Sequence, residues 1–331
     1  MREKGRERLA LGAAILLTAV LALLSVRVGS YPLSTGQILD ILSGGLAGTT
    51  PAHVLWNLRL PRVGMGLLAG WALGMAGGVY QTVFRNPLAS PYTLGISNAA
   101  AFGASFGIVF LGAGAGITRS SDLFMITNPY VITLSAFLGS LLGLAIILII
   151  IRGKQASVET IILSGVIINS LFGAGIAVMQ YVANNVQLAS IVFWNFGDLG
   201  RSDWSKLLFL IVALIPALIY FYLKRWDYKV LCSGDDYAQS MGVYPQHTRM
   251  TGMVVTSLIT AVAVSFFGVI AFVGLVVPHI VRKCIGDNEE FLIPGSAKTL
   301  SFAFSLKAAC REKLPLIVFV FDKFGKSLSN E

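Results

Sequence analysis

Tyr130-Val-Ile-Thr-Leu-Ser-Ala-Phe-Leu-Gly-Ser-Leu-Leu-Gly-Leu-Ala-Ile-Ile-Leu-Ile-Ile-Ile151 contains no charged side chain from end to end. A hydrocarbon layer about 30 Å thick is crossed by about 20 helical residues, because a helix satisfies its own backbone hydrogen bonds. This stretch therefore reads as a membrane span. Runs of the same kind lie on both sides of it: Leu9–Val26, Val63–Tyr80, Leu94–Leu111, Thr160–Tyr181, Trp204–Leu223, Thr248–Phe267 and a shorter Val269–Val281 interrupted by Pro278 and His279. The expected architecture is an all-α polytopic transmembrane bundle of about eight clear spans.

Composition agrees. The chain has 331 residues, 55% hydrophobic and 12% charged, with a net charge of +9 and a mean hydropathy of +0.76. Soluble domains carry about 25% charged residues, so this chain cannot clothe itself in water. That excludes a cytosolic globule, a disordered chain and, despite the basic balance, a nucleic-acid binder. The lipid bilayer is its surroundings. Cys232, Cys284 and Cys310 form no C-x-x-C pair, so no disulfide framework or zinc site is expected.

Leu9–Val26 follows Arg2, Lys4, Arg6 and Arg8 but is longer than a signal-peptide core and lacks an A-x-A site, so it reads as a retained span. Counting Lys and Arg between spans sets the direction. One side holds thirteen (Arg2, Lys4, Arg6, Arg8, Arg85, Arg152, Lys154, Lys224, Arg225, Lys229, Arg249, Arg282, Lys283) and the other six (Arg27, Arg59, Arg62, Arg119, Arg201, Lys206). The expected N-terminus is cytoplasmic, in a multi-pass protein of the cell or inner membrane. Gly66, Gly70, Gly74 and Gly78 recur every four residues in the second span, a stripe suited to close helix packing.

The missing chemistry is equally informative. The span interiors hold essentially no ionisable group, which a membrane-embedded enzyme would need. There is no H-E-x-x-H, and His53, His247 and His279 stand apart near span ends. No catalytic or metal-ligating set is expected, which argues against a lipid-modifying enzyme. No phosphate loop exists either; Gly295-Ser296-Ala297-Lys298-Thr299 lacks the upstream glycine. A nucleotide-driven process would need an ATPase on another chain, with ATP and magnesium bound there and no cofactor here.

Three stretches go further. The first joins Asn57-Leu58-Arg59-Leu60-Pro61-Arg62 to Arg85-Asn86-Pro87-Leu88-Ala89-Ser90-Pro91 and Leu94-Gly95-Ile96-Ser97-Asn98. Pro61 stiffens the start of the second span, and an exposed arginine beside it would offer a bidentate donor to a partner carboxylate. The prolines of 85–91 enforce an extended turn, with Asn86 placed to cap exposed backbone groups. The second stretch is Gly234-Asp235-Asp236-Tyr237-Ala238-Gln239-Ser240-Met241-Gly242-Val243. Ala238, Met241 and Val243 give it a short apolar face, suited to a helix docking into a partner's groove. The third, Gly268 to Arg282, contains Gly274 and Pro278, which weaken a helix that only a protein or cavity lining would tolerate. Trp194-Asn195-Phe196-Gly197-Asp198-Leu199-Gly200 reads as an interfacial aromatic anchor.

Together these motifs resemble the FecCD family, the permease subunits of ABC importers for iron–siderophores, haem and cobalamin. The likeness runs from about Leu9 to Pro294. It implies a homodimer with a second copy of this chain, or a close heterodimer, together with two ATP-binding subunits and an extracytoplasmic substrate-binding protein. It assigns binding-protein docking to Arg59, with Arg62 beside it. The ATPase coupling loop falls on Gly234, Asp235, Asp236, Ala238, Met241 and Gly242. Asn86, Pro87, Gly274 and Pro278 are expected to shape the gate or pathway. Iron–siderophore is the first cargo expectation.

Family permeases have ten spans. Here residues 1–294 form the expected permease domain, and 295–331 a divergent tail. Lys298–Glu331 carries nine charges, and its longest apolar run, Leu314–Phe321, contains Pro315. Eight residues span about 12 Å as a helix, too little to cross. An inactive truncated remnant is the alternative this tail raises.

Overall fold

The computed structural model describes residues 2–29, 31–113, 115–117, 124–126, 128–154 and 158–285. The tail 295–331 lies outside the described residues. Helix α1 (Arg2–Arg27) leads through α2 (Thr35–Leu42), whose capping box pairs Ser34 with Gln37, to α3 (Thr50–His53). A π-helical segment, Val54–Arg59, joins α3 to α4 (Leu60–Phe84), making one continuous helix from Thr50 to Phe84. The sequence places the start of this span at Val63; the helix extends further because i→i+5 turns absorb the hydrogen bond that Pro61 cannot donate.

After α5 (Ile96–Phe110), a short antiparallel hairpin pairs β1 (Ala115–Ile117) with β2 (Phe124–Ile126). Then come α6 (Pro129–Lys154), α7 (Val158–Val182), α8 (Asn185–Asn195) and α9 (Trp204–Leu223). Two short helices, α10 (Arg225–Cys232) and α11 (Asp235–Ser240), precede α12 (Pro245–Phe267) and α13 (Val273–Ile285).

Among the described residues, five helices are long and apolar enough to cross a membrane: Thr50–Phe84, Pro129–Ile151, Val158–Val182, Trp204–Leu223 and Pro245–Phe267. Of the other three expected spans, Leu9–Val26 lies wholly within α1, and two differ. Expected Leu94–Leu111 becomes the 15 residues of α5, about 22 Å at 1.5 Å per residue and short of the hydrocarbon layer. Expected Val269–Val281 begins at Val273 instead, because Gly268–Phe272 leaves the helix.

α4 is the central element. Its most apolar stretch is 78% buried, against 28% for α7 and for α9, so α4 lies among protein and the latter two present apolar surface outward. In lipid, helices are held by close packing rather than by hydrophobic exclusion. Gly103 of α5 and Gly139 of α6 face each other so closely that a Cβ on Gly103 would sit 2.2 Å from the Ser135 carbonyl oxygen. Tyr80 and Ser257 share a buried 2.6 Å hydrogen bond between α4 and α12.

Candidate functional site

Functional residues collect in three places. At the C-terminal end of α4, Arg85 closes the helix in the left-handed region (φ 45°) and its Nη2 donates to Asp235 Oδ1 at 2.8 Å. Arg249, in the second turn of α12, grips the same carboxylate with both arms: Nη1 to Oδ2 at 2.8 Å and Nη2 to Oδ1 at 2.6 Å. Its Nε donates to the Val83 carbonyl at 3.1 Å. Asp235 thereby ties α11 to α4 and α12. The Arg249 hydrogen bonds hold its carboxyl below the usual carboxylate range, against partial burial and with help from the Arg85 charge.

Gly234 permits this geometry, since its φ of 121° is one that other residues avoid. The apolar face expected of α11 divides: Ala238 is fully buried, whereas Met241 is 59% exposed, and Tyr237 and Tyr244 beside it are exposed too. Asp236 and Gly242 are exposed. Residues three apart share a face only inside a helix, and Met241 is the C-cap of α11, past its last helical residue Ser240. Asn86 accepts from the Leu88 backbone N–H at 2.9 Å, the capping role its position suggested, and Pro87 is exposed beside it.

The second place is the break between α12 and α13. Gly268 and Phe272 both have positive φ, 84° and 65°. Within α13, Pro278 lacks the N–H that would bond to the Gly274 carbonyl. That carbonyl instead meets Gly77 of α4, where a Cβ would lie 1.7 Å from the oxygen. Gln81 Nε2 donates to the next carbonyl, Leu275, at 3.1 Å. Gly274 and Pro278 are thus buried against α4. A cavity of about 460 Å³ opens nearby, lined by Tyr92, Asn98, Ala101, Ile176, Asn195, Phe196, Val269, Ile270 and Ala271. Asn195 Oδ1 is buried there without a hydrogen-bond partner. Trp194, expected at the membrane interface, is instead buried at 2% exposure, its carbonyl facing Gly268.

The third place surrounds Arg59. The expectation of an exposed donor is not met: Arg59 is 7% exposed. Its Nη1 donates to the carbonyls of Val26 (2.6 Å) and Arg27 (3.0 Å), and its Nη2 to that of Tyr31. It caps the end of α1, where unsatisfied carbonyls and the helix dipole attract a cation. Arg62 is half-buried, with its Nε unpartnered. The structure joins the coupling-loop residues with Asn86 and Pro87 at one end, and sets Gly274 and Pro278 apart from them, with Pro91 reaching Gly274. Arg249 and Tyr92 carry the geometry but lie outside the sequence motifs, while Asn98 ends one of them; a lone arginine at the start of a span was the available signal for Arg249.

The FecCD transport family model matches residues 17–306. The chain belongs to the FecCD transport family. The match reaches past Pro294, the expected end of the likeness. A putative ABC transporter permease protein, MJ0087, of Methanocaldococcus jannaschii is 45% identical over 88% of this chain and 83% of its own length. The haemin transport permease HmuU of Yersinia pestis is 33% identical over 90% and 85%. The molybdate import permease MolB of Haemophilus influenzae is 30% identical over 84% and 80%. A solved inward-facing structure of a putative metal-chelate type ABC transporter superposes with a TM-score of 0.80 at 26% identity, covering 97% of this chain and 99% of that one. This FecCD chain is a multi-pass membrane protein, the permease subunit of an ABC importer and a transport component rather than an enzyme.

Proposed function

We propose that this FecCD permease moves an iron–siderophore chelate across the cell membrane, using ATP hydrolysed by two partner subunits and cargo delivered by an extracytoplasmic binding protein. Two copies of the chain enclose the pathway, and the N-terminus is cytoplasmic. The observation that carries the coupling part is α11, a short helix pinned at Asp235 that leaves Tyr237, and Met241 and Tyr244 just beyond its end, exposed. Such a helix suits a groove on a partner that moves during its own cycle. Conformational work then reaches the pathway through the α4 and α12 ends that Asp235 joins.

At the opposite end, Arg62 is the arginine we assign to an acidic surface on the binding protein, since Arg59 already serves α1. The polar and aromatic cavity beside the α12–α13 break, lined there by Val269, Ile270 and Ala271, suits a part in shaping the passage of a large cargo, with Gly274 and Pro278 in the helix that follows. Relatives named for haem and for molybdate make haem the second cargo reading, with cobalamin behind it. The test is uptake into proteoliposomes holding this chain, its ATP-binding subunit and its binding protein, with ferric siderophore, haemin and cyanocobalamin supplied in turn. ATP-dependent accumulation of the siderophore is expected; accumulation of another cargo alone would overturn the cargo assignment, and none of any would overturn the importer reading.

A further inference from the structure

We infer that Asp235 is the positioning residue that makes α11, α4 and α12 move as one body, so that displacement of α11 is carried into the membrane through an ion-paired joint. The inference rests on the reading of α11 as the ATPase contact. Three observations carry it. α11 has six residues, too few to hold a helical direction unaided, and the side it turns to the protein offers one small buried residue, Ala238. Packing alone therefore gives it little purchase on the bundle.

The ionic contacts supply what packing does not. Asp235 is held bidentately by Arg249 of α12 and singly by Arg85 at the end of α4. The Arg249 side chain is only 12% exposed, so its bonds are shielded more than a surface pair's would be. The same guanidinium donates to the Val83 carbonyl of α4, so one planar group of α12 binds both α11 and α4. A planar fork of this kind fixes direction as well as distance. A push on Tyr237 or Met241 would meet this joint before it met any apolar contact of α11 other than Ala238.

Hydrogen–deuterium exchange on the assembled importer in lipid nanodiscs tests this, comparing the nucleotide-free complex with one trapped by ATP and vanadate. In the wild type, trapping is expected to change exchange in residues 234–243 and also in 82–89 and 246–252. In Asp235→Asn the change at 234–243 should persist while those at 82–89 and 246–252 fall at least threefold; Asp235→Glu should restore them. Should Asp235→Asn fail to assemble, Arg249→Lys, which keeps the charge but loses the fork, is expected to give the same loss. Undiminished changes at 82–89 and 246–252 would overturn the inference while leaving the importer reading intact. Failure of both variants to assemble would also overturn it, since the joint would then serve folding alone. No wild-type change at 234–243 would instead overturn the reading of α11 as the ATPase contact, and the joint's proposed role with it.

Discussion

Arg59 shows how a single guanidinium can have its role set by neighbours distant in sequence. It lies 33 residues from Val26, yet it donates to the Val26, Arg27 and Tyr31 carbonyls and caps α1. Hydrogen bonds from a charged donor contribute roughly 1.5–3 kcal/mol each, without simple additivity. Arg59→Ala should therefore release the end of α1, seen as at least tenfold faster amide exchange around residues 28–31, and Arg59→Lys should rescue it poorly because three divergent acceptors need the fork. Arg62→Glu should leave that exchange unchanged and weaken binding-protein association in a pull-down. Met241, exposed on α11, permits a cleaner substitution: Met241→Asp should leave the melting temperature nearly unchanged, within about 0.5 kcal/mol of stability, while reducing co-purification of the ATP-binding subunit severalfold. Asp235 titrates below the usual carboxylate range. A group with a depressed folded pKa contributes stability that is complete above its unfolded value and lost as pH falls through the folded one. A nitroxide at Met241→Cys should therefore report the same mobility from pH 8 to 5 and loosen only below about pH 4, near the unfolded aspartate value; loosening near pH 6 would show that a different group holds α11.

At the scale of elements, the packing of α4 against α13 is set by the absence of side chains. A Cβ at Gly77 would stand 1.7 Å from the Gly274 carbonyl oxygen and 2.6 Å from its carbon, and both are backbone atoms that cannot swing aside. Gly77→Ala should separate the two helices and cost about 1–3 kcal/mol or more, read as a lower thermal midpoint in detergent. Gly173 of α7 meets nothing within 4 Å, so Gly173→Ala should be neutral or raise the midpoint, because alanine is the better helix former by about 1 kcal/mol. The sequence stripe Gly66, Gly70, Gly74 and Gly78 pointed to close packing on α4, but the contact with α13 is made by Gly77, one residue out of register. Periodicity locates a small-residue face; it does not say which member the partner's backbone will meet. Likewise, the Pro61 and Pro278 effects differ because neighbouring turns and neighbouring helices answer them differently, by π-helical bonds in the first case and by α4 in the second.

For the molecule as a whole, transport by this subunit is expected only in company. Proteoliposomes with the chain alone should show neither ATP hydrolysis nor uptake, and cross-linking of the assembled importer should trap two copies of it; a single copy per complex would contradict the paired pathway. Membrane residence, the five long spans and the FecCD motifs were legible in the sequence, because a bilayer imposes length and apolarity on each segment separately and those are local properties. The single apolar face read from Ala238, Met241 and Val243 is not what forms: Ala238 is buried and Met241 exposed, a division no local pattern contained. What the tertiary structure alone decided are the meetings of residues far apart in the chain: Arg59 with the end of α1, Asp235 with Arg85 and Arg249, Gly77 with Gly274, and the cavity joining Tyr92 and Asn98 to Asn195 and Ile270. Each depends on how helices rotate and slide against one another, and that is settled by the fit of backbones and the satisfaction of buried polar groups, neither of which any one segment contains.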